Sequence, residues 1–158
     1  MTKLELTSST FSDGGEIPQE CGYKNGNKIP PLTINEIPDG TKSLALIMDD
    51  PDAMEPAGKV WVHWVVWNIP TDLDGVEYTD ATVFKIKDQY GIGQGINDFG
   101  ERGYGGPAPP DKKHTYIFKL YALDNTLDLY DDTEKTDLEK AMEDHILEQA
   151  TLTGTYAP

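Results

Sequence analysis

Basic side chains are scarce in this chain. Against 28 acidic residues it has 13 lysines and arginines, for a formal charge of −15 over 158 residues. Arg102 is the one arginine. Binding nucleic acid by phosphate neutralisation needs clustered Lys and Arg, so that class is excluded, and so is general adhesion to anionic lipid. Cysteine is rarer still: Cys21 alone cannot close an internal bridge, which removes a disulfide framework and fits a reducing compartment. Long apolar runs are missing too. The most apolar stretch, Val60 to Pro70, is interrupted by His63 and Asn68 and falls short of a membrane span. The first ten residues carry no apolar signal-peptide core. The expectation is a cytoplasmic, soluble protein with no integral membrane association.

What is present is punctuation. Eleven prolines and 15 glycines cut the chain into short runs. Residues 3–6 alternate as a strand, and residues 11–31 read as loop. Pro38-Asp39-Gly40 signals a turn before an apolar run from Ser43 to Met48. Val60 to Ile69 is the clearest strand, with both faces largely apolar and hence covered on both sides. Strict alternation would place Trp61, His63, Val65 and Trp67 on one face and Val62, Trp64, Val66 and Asn68 on the other. A Gly/Pro-rich loop runs from Gly91 to Asp111, a length that usually carries function. His114 to Leu123 is a second strong strand with Tyr116, Phe118 and Leu120 on one face. One segment reads as helix: Thr136 and Glu139 form a capping box, followed by Leu138, Met142 and Ile146 or Leu147 at helical spacing. His145 falls on that helix and is given no role. Thr151 to Tyr156 closes the chain as a short strand. Many short strands, long loops and one late helix predict a mainly β fold, an antiparallel β-sandwich, in a single domain over 1–158. A domain of this size buries roughly 70% of its unfolded surface and needs no disulfide or metal.

Chemistry is confined to a few residues. Asp49, Asp50 and Asp52 crowd the end of an apolar strand, either as turn caps or as part of a site. His63 is a satisfied core histidine or a ligand-binding one, and His114 shares a face with Tyr116. No nucleophile elbow, P-loop or dinucleotide fingerprint occurs; Gly91-Ile92-Gly93-Gln94-Gly95 does not bridge a strand to a helix. A metal on Asp50, Asp52, His63 and His114 is chemically conceivable but lacks ligand spacing. Two imidazoles, a tyrosine hydroxyl and backbone N–H groups could instead bind a phosphate-like group.

Asp50-Pro51-Asp52-Ala53, with the block from Trp61 to Pro70, resembles the first signature of the phosphatidylethanolamine-binding proteins. Gly106-Pro107-Ala108-Pro109-Pro110 with His114-Thr115-Tyr116 resembles the second. Pro30-Pro31-Leu32, Thr41 to Leu46, Asn97 to Gly100, Gly103 to Gly105, Leu138 to Met142 and Gly154 to Tyr156 extend the similarity over nearly the whole chain. It is strongest to the prokaryotic, Raf kinase inhibitor-like branch. The resemblance implies a β-sandwich with few helices and a small surface pocket for phosphate or phospholipid head groups. Asp50, Asp52, Trp61, His63, Gly106, Pro107, His114 and Tyr116 would line it, the two histidines holding one anion jointly. Three positions depart from the family pattern. Met54 stands where a proline is usual, Ala108 where a proline or cysteine is, and Thr115 where an arginine is. The expected function is non-enzymatic binding of a small anionic ligand, without metal or cofactor. The alternatives are an inhibitor of a kinase or protease with a modulatory pocket, and an Asp/His-dependent hydrolase. A homodimer is the expected assembly, again from the resemblance.

The charge itself generates a test. Self-repulsion among surface carboxylates weakens as salt screens it, the Debye length falling to roughly 3 Å at 1 M. The melting temperature should rise between low and molar KCl; a flat or falling curve counts against that.

Overall fold

The computed structural model describes residues 3–79 and 92–158. Among the described residues nine strands occur: β1 Glu5–Thr7, β2 Gly15–Glu16, β3 Leu32–Asn35, β4 Ser43–Asp50, β5 Trp61–Ile69, β6 Glu77–Tyr78, β7 Gly93–Gln94, β8 His114–Leu123 and β9 Ile146–Tyr156. They form a three-stranded sheet, β1-β3-β6, and a six-stranded sheet, β2-β9-β8-β4-β5-β7. Every pairing between these strands is antiparallel except that of β2 with β9.

Alternation along β4 and β8 divides the core in two. Leu44, Leu46, Met48, Tyr116, Phe118 and Leu120 face the small sheet and pack with Leu6, Leu32 and Ile34. Ala45, Ile47, Tyr121 and Leu123 face the other way, where Leu138 and Met142 cover them. Those last two residues belong to the helix α2, Lys135–Met142; a one-turn helix α1, Met54–Ala57, lies between β4 and β5. The mainly β sandwich with few helices is therefore observed, with the parallel β2–β9 pair as its one exception to an antiparallel pattern.

β5 does not alternate strictly. Met48 pairs with Trp64 and Asp49 with Val62, so His63 is an extra residue bulged out of the ladder. The bulge resets the phase. Val62 joins Val65 and Trp67 in one cluster, while Trp64 and Val66 fall in the other. The face assignment expected for Trp61, His63, Val65 and Trp67 is corrected accordingly. A second irregularity near Asn68, whose φ is +56°, resets it again before Ile69.

The C-terminal third also differs from expectation. Glu134, not Thr136, caps α2: its backbone N–H donates to the Asp137 carboxylate at 3.0 Å, completing a reciprocal box two residues earlier. Asp144, with φ +67°, turns the chain after Met142, so His145 lies off the helix. Ile146 and Leu147 open β9 and are exposed rather than continuing an apolar helical stripe. The segment read as loop over 11–31 contains β2 and a 3-10 turn at Gln19–Cys21. The expected loop to Asp111 carries β7 and an Ile96–Arg102 bridge; its first residue, Gly91, lies outside the described residues.

Among the described residues no helix is long and apolar enough to cross a membrane. The sheet end formed by the C-terminus of β4 and the N-termini of β5 and β8 is where the polar residues gather.

Candidate functional site

β4 ends in Asp49 and Asp50, and alternation sends these neighbours to opposite faces. Asp49 is 1% exposed and meets Lys119 at 3.0 Å and Lys135 at 2.8 Å, which ties the first residue of α2 to the sheet. Asp50 turns toward the site. Pro51 starts a 3-10 turn, and the Asp50 Oδ1 accepts the Asp52 N–H at 2.9 Å as its cap. Asp52 in turn accepts the Thr115 N–H at 2.8 Å. The crowded carboxylates thus act as caps and clasps, as one of the two sequence readings had it.

The turn continues into α1, and Ala53, Pro56 and Ala57 form one wall of a cavity of about 180 Å³. Asp50, Trp61, His63, His114 and Tyr116 form its interior, and Phe99, Ala108 and Pro110 complete it. The loop after β7 supplies that last wall because His63 holds it. Gly105 N–H donates to the His63 carbonyl at 2.8 Å, and the His63 Nδ1–H donates back to the Gly105 carbonyl at 2.6 Å. Phe99 stacks on Tyr23 with ring centroids 3.9 Å apart and meets Trp61 and His63 edge-on.

His114 is 1% exposed and sits between two carboxylates. Its Nδ1 donates to Asp50 Oδ2 and its Nε2 to Asp111 Oδ1, both at 2.7 Å. Burial alone favours the neutral ring. The hydrogen bonds and charges of Asp50 and Asp111 outweigh it and hold the pKa above the ordinary 6.5. An ionised carboxylate only accepts, so two such partners require both ring nitrogens to carry protons. His114 therefore has no N–H left for a ligand.

His63 is in the opposite state. Burial pushes its pKa below 6.5, against weaker upward pulls from the Gly105 carbonyl and the Asp50 charge. A carbonyl accepts only, so Nδ1 carries the proton and Nε2 presents a lone pair. Tyr116 is fully buried, and burial with the Asp50 charge raises its pKa far above the ordinary 10, keeping the hydroxyl protonated. That hydroxyl lies near Asp50 and Ala108 yet makes no hydrogen bond of normal geometry. The Trp61 Nε1–H is likewise buried without a partner among the described residues.

Of the eight residues expected at the site, the structure brings five to the cavity: Asp50, Trp61, His63, His114 and Tyr116. Asp52, Gly106 and Pro107 stand outside its lining. Gly106 packs against the 21–27 segment, where a Cβ would collide with the Cys21 carbonyl, and its N–H donates to Asn27 Oδ1 at 2.7 Å. Pro107 accepts the Tyr23 N–H. Both anchor the loop that carries Ala108 and Pro110 to the cavity. Met54 is exposed and not in the lining, and Thr115 contributes its backbone to Asp52. Sequence reasoning missed Phe99, whose one signal was its place in the Asn97–Gly100 segment, and Asp111, which no pattern distinguished. His145 is far from this set in role: it pairs with Asp124 at the surface. Among the described residues no cluster of three or more His, Cys, Asp or Glu is disposed to hold a metal.

A β-sandwich with a small, mainly apolar cavity and a few convergent polar groups at one sheet end is the form that ligand-binding domains commonly take. Comparison with known proteins narrows this. Residues 7–157 match the family model of the phosphatidylethanolamine-binding proteins, and the chain belongs to that family. It is 45% identical over 153 residues to a UPF0098 protein of Methanothermobacter thermautotrophicus, covering 97% of this chain and 98% of that one. A phosphatidylethanolamine-binding protein homologue of Chlamydia trachomatis has a crystal structure that superposes with TM-score 0.87 at 37% identity, covering 99% and 98% of the two chains. Escherichia coli YbcL, a member of the mammalian family by its description, superposes at 0.86 with 32% identity and 98% of each chain.

The two cavity histidines should titrate in opposite directions. His114, raised above its unfolded value, contributes stability that is complete below pH ~6.5 and is lost as pH climbs through the folded pKa. His63, lowered, costs stability as pH falls below ~6.5. Histidine NMR over a pH series should show His63 as the Nδ1–H tautomer and His114 doubly protonated at neutrality. Replacing His114 by Ala should lower the unfolding free energy by about 3–5 kcal/mol, because it strands the buried Asp50 carboxylate. Two rings titrating together near 6.5 would contradict this assignment.

Proposed function

We propose that the protein binds, without chemical turnover, a small ligand bearing an oxyanion of the phosphate or phospholipid head-group kind in the His63–Tyr116 cavity. What supports this reading is a cavity with Trp61, His63 and Tyr116 in its lining, two of which, Trp61 and Tyr116, hold buried polar hydrogens that make no hydrogen bond of normal geometry among the described residues. A buried donor left unsatisfied costs about 1–3 kcal/mol, and oxygens of a ligand would recover that cost at both. The volume of about 180 Å³ suits a head group rather than an extended chain. Binding is favoured over hydrolysis by the lining itself. It contains no Ser, Thr, Cys or Lys; Asp50 is committed to His114 and the Asp52 N–H, and both nitrogens of His114 are bonded, which leaves the His63 imidazole and the Tyr116 hydroxyl as its reactive groups.

The sequence expectation of two histidines sharing one anion is revised in this proposal. His114 acts as the fixed back of the site, while Trp61, Tyr116 and His63 meet the ligand.

Calorimetric titration of phosphate and of phosphoethanolamine tests the assignment. Tyr116→Phe should remove a hydrogen bond to a charged partner, worth about 1.5–3 kcal/mol, and weaken binding by roughly ten- to a hundred-fold. His145→Ala should bind as wild type does. Undiminished affinity in Tyr116→Phe overturns the placement of the ligand.

A further inference from the structure

Most of the cavity wall has no side-chain freedom. Its alanines and prolines have no rotamer to change, Asp50 and His114 hold each other, and His63 and Tyr116 are buried in the sheet. Trp61 has its indole nitrogen buried and meets Phe99 edge-on. Phe99 is different. No strand or helix carries it; it sits on a turn closed by the Gly100 N–H, which donates to the Asn97 carbonyl at 3.0 Å. Its own N–H donates to Oδ1 of the buried Asn97 at 2.9 Å, so its backbone is fixed while its side chain is half-buried. A half-buried phenylalanine on a turn changes rotamer readily unless a neighbour stops it.

Two contacts stop this one. The first is Gly105, where a Cβ would come within 2.6 Å of the Phe99 ring, so the ring lies against bare backbone. The second is Tyr23, whose ring stacks on it with planes 3° apart and centroids 3.9 Å apart. Tyr23 is itself pinned at both ends. Its N–H donates to the Pro107 carbonyl at 2.9 Å, and its hydroxyl donates to Glu101. Both partners belong to the loop that carries Phe99. Tyr23 does not line the cavity, yet it backs the one wall that could move.

Resting on the binding reading above, we infer that Tyr23 is a positioning residue that sets, through Phe99, how bulky a substituent the bound oxyanion can carry. With the stack in place Phe99 is a fixed wall and the cavity stays near 180 Å³. Without it the ring is free to turn toward solvent, and the wall recedes. The limit is one of bulk at this wall and not of ester class. It applies to monoesters and diesters alike, and a chain that leaves through the mouth does not meet it.

Calorimetric titration reads this as a ratio of dissociation constants within two pairs of probes. The monoesters are methyl phosphate and phenyl phosphate; the diesters are dimethyl phosphate and methyl phenyl phosphate. The wild-type protein should favour the smaller member of each pair by roughly tenfold or more, and Tyr23→Leu should lower each ratio about tenfold. Tyr23→Phe, which keeps the ring, should restore the preference. Phe99→Ala should lower the ratio as Tyr23→Leu does, and combining the two should lower it no further, because both act through one wall. A merely structural Tyr23 would weaken both members of a pair equally and leave the ratio unchanged. That result overturns the inference, as does a wild-type protein without preference or a second, additive drop in the double variant. If Tyr23→Leu does not fold, Phe99→Ala carries the test, and an unchanged ratio there overturns the inference. Absence of binding by every probe to the wild-type protein overturns the binding reading itself.

Discussion

The contact between His114 and Asp50 ties together everything at the functional end of the sheet. Both side chains are almost fully buried, and a lone charge at either position would be expelled or neutralised. Paired, they fix the end of β4 against the start of β8. The spare oxygen of Asp50 then caps the turn that leads to α1, and the second nitrogen of His114 reaches Asp111 at the mouth. One imidazolium thus sets the position of a strand end, a turn and a loop.

The bulge at His63 is the complementary constraint. An extra residue in β5 frees that ring from the alternation of the sheet and lets it meet both Gly105 and Tyr116. The same hydrogen bond that anchors the loop selects the tautomer. Loop position and ring tautomer are therefore decided by a single Nδ1–H.

Much of this was legible in the residues. The apolar runs at 43–48, 60–69 and 114–123 located the central strands, because burial on both faces leaves few polar positions to confuse the pattern. Resemblance to two signature blocks drew Asp50, Trp61, His63, His114 and Tyr116 into one site. Periodicity could not reveal the bulge, since a run of Trp, His and Val looks the same in either phase. Nor could it say which nitrogen of a histidine is occupied, because that depends on the Gly105 carbonyl and on Asp111, both brought in by a distant loop. The helix boundary failed for a local reason: Glu134 with Asp137 and Thr136 with Glu139 are overlapping boxes, and the first is the one that forms.

Asp49 and Asp50 are adjacent in the chain, yet one holds two lysines on the helix side and the other a histidine on the cavity side. The peptide plane between them works as a partition. Charge on the helix side is balanced locally by Lys119 and Lys135, and Asp49 is the weakest of the pulls on His63. Drift in the surface around α2 is consequently damped before it reaches the cavity. The far face of the sheet is free to acquire new contacts without retuning the site.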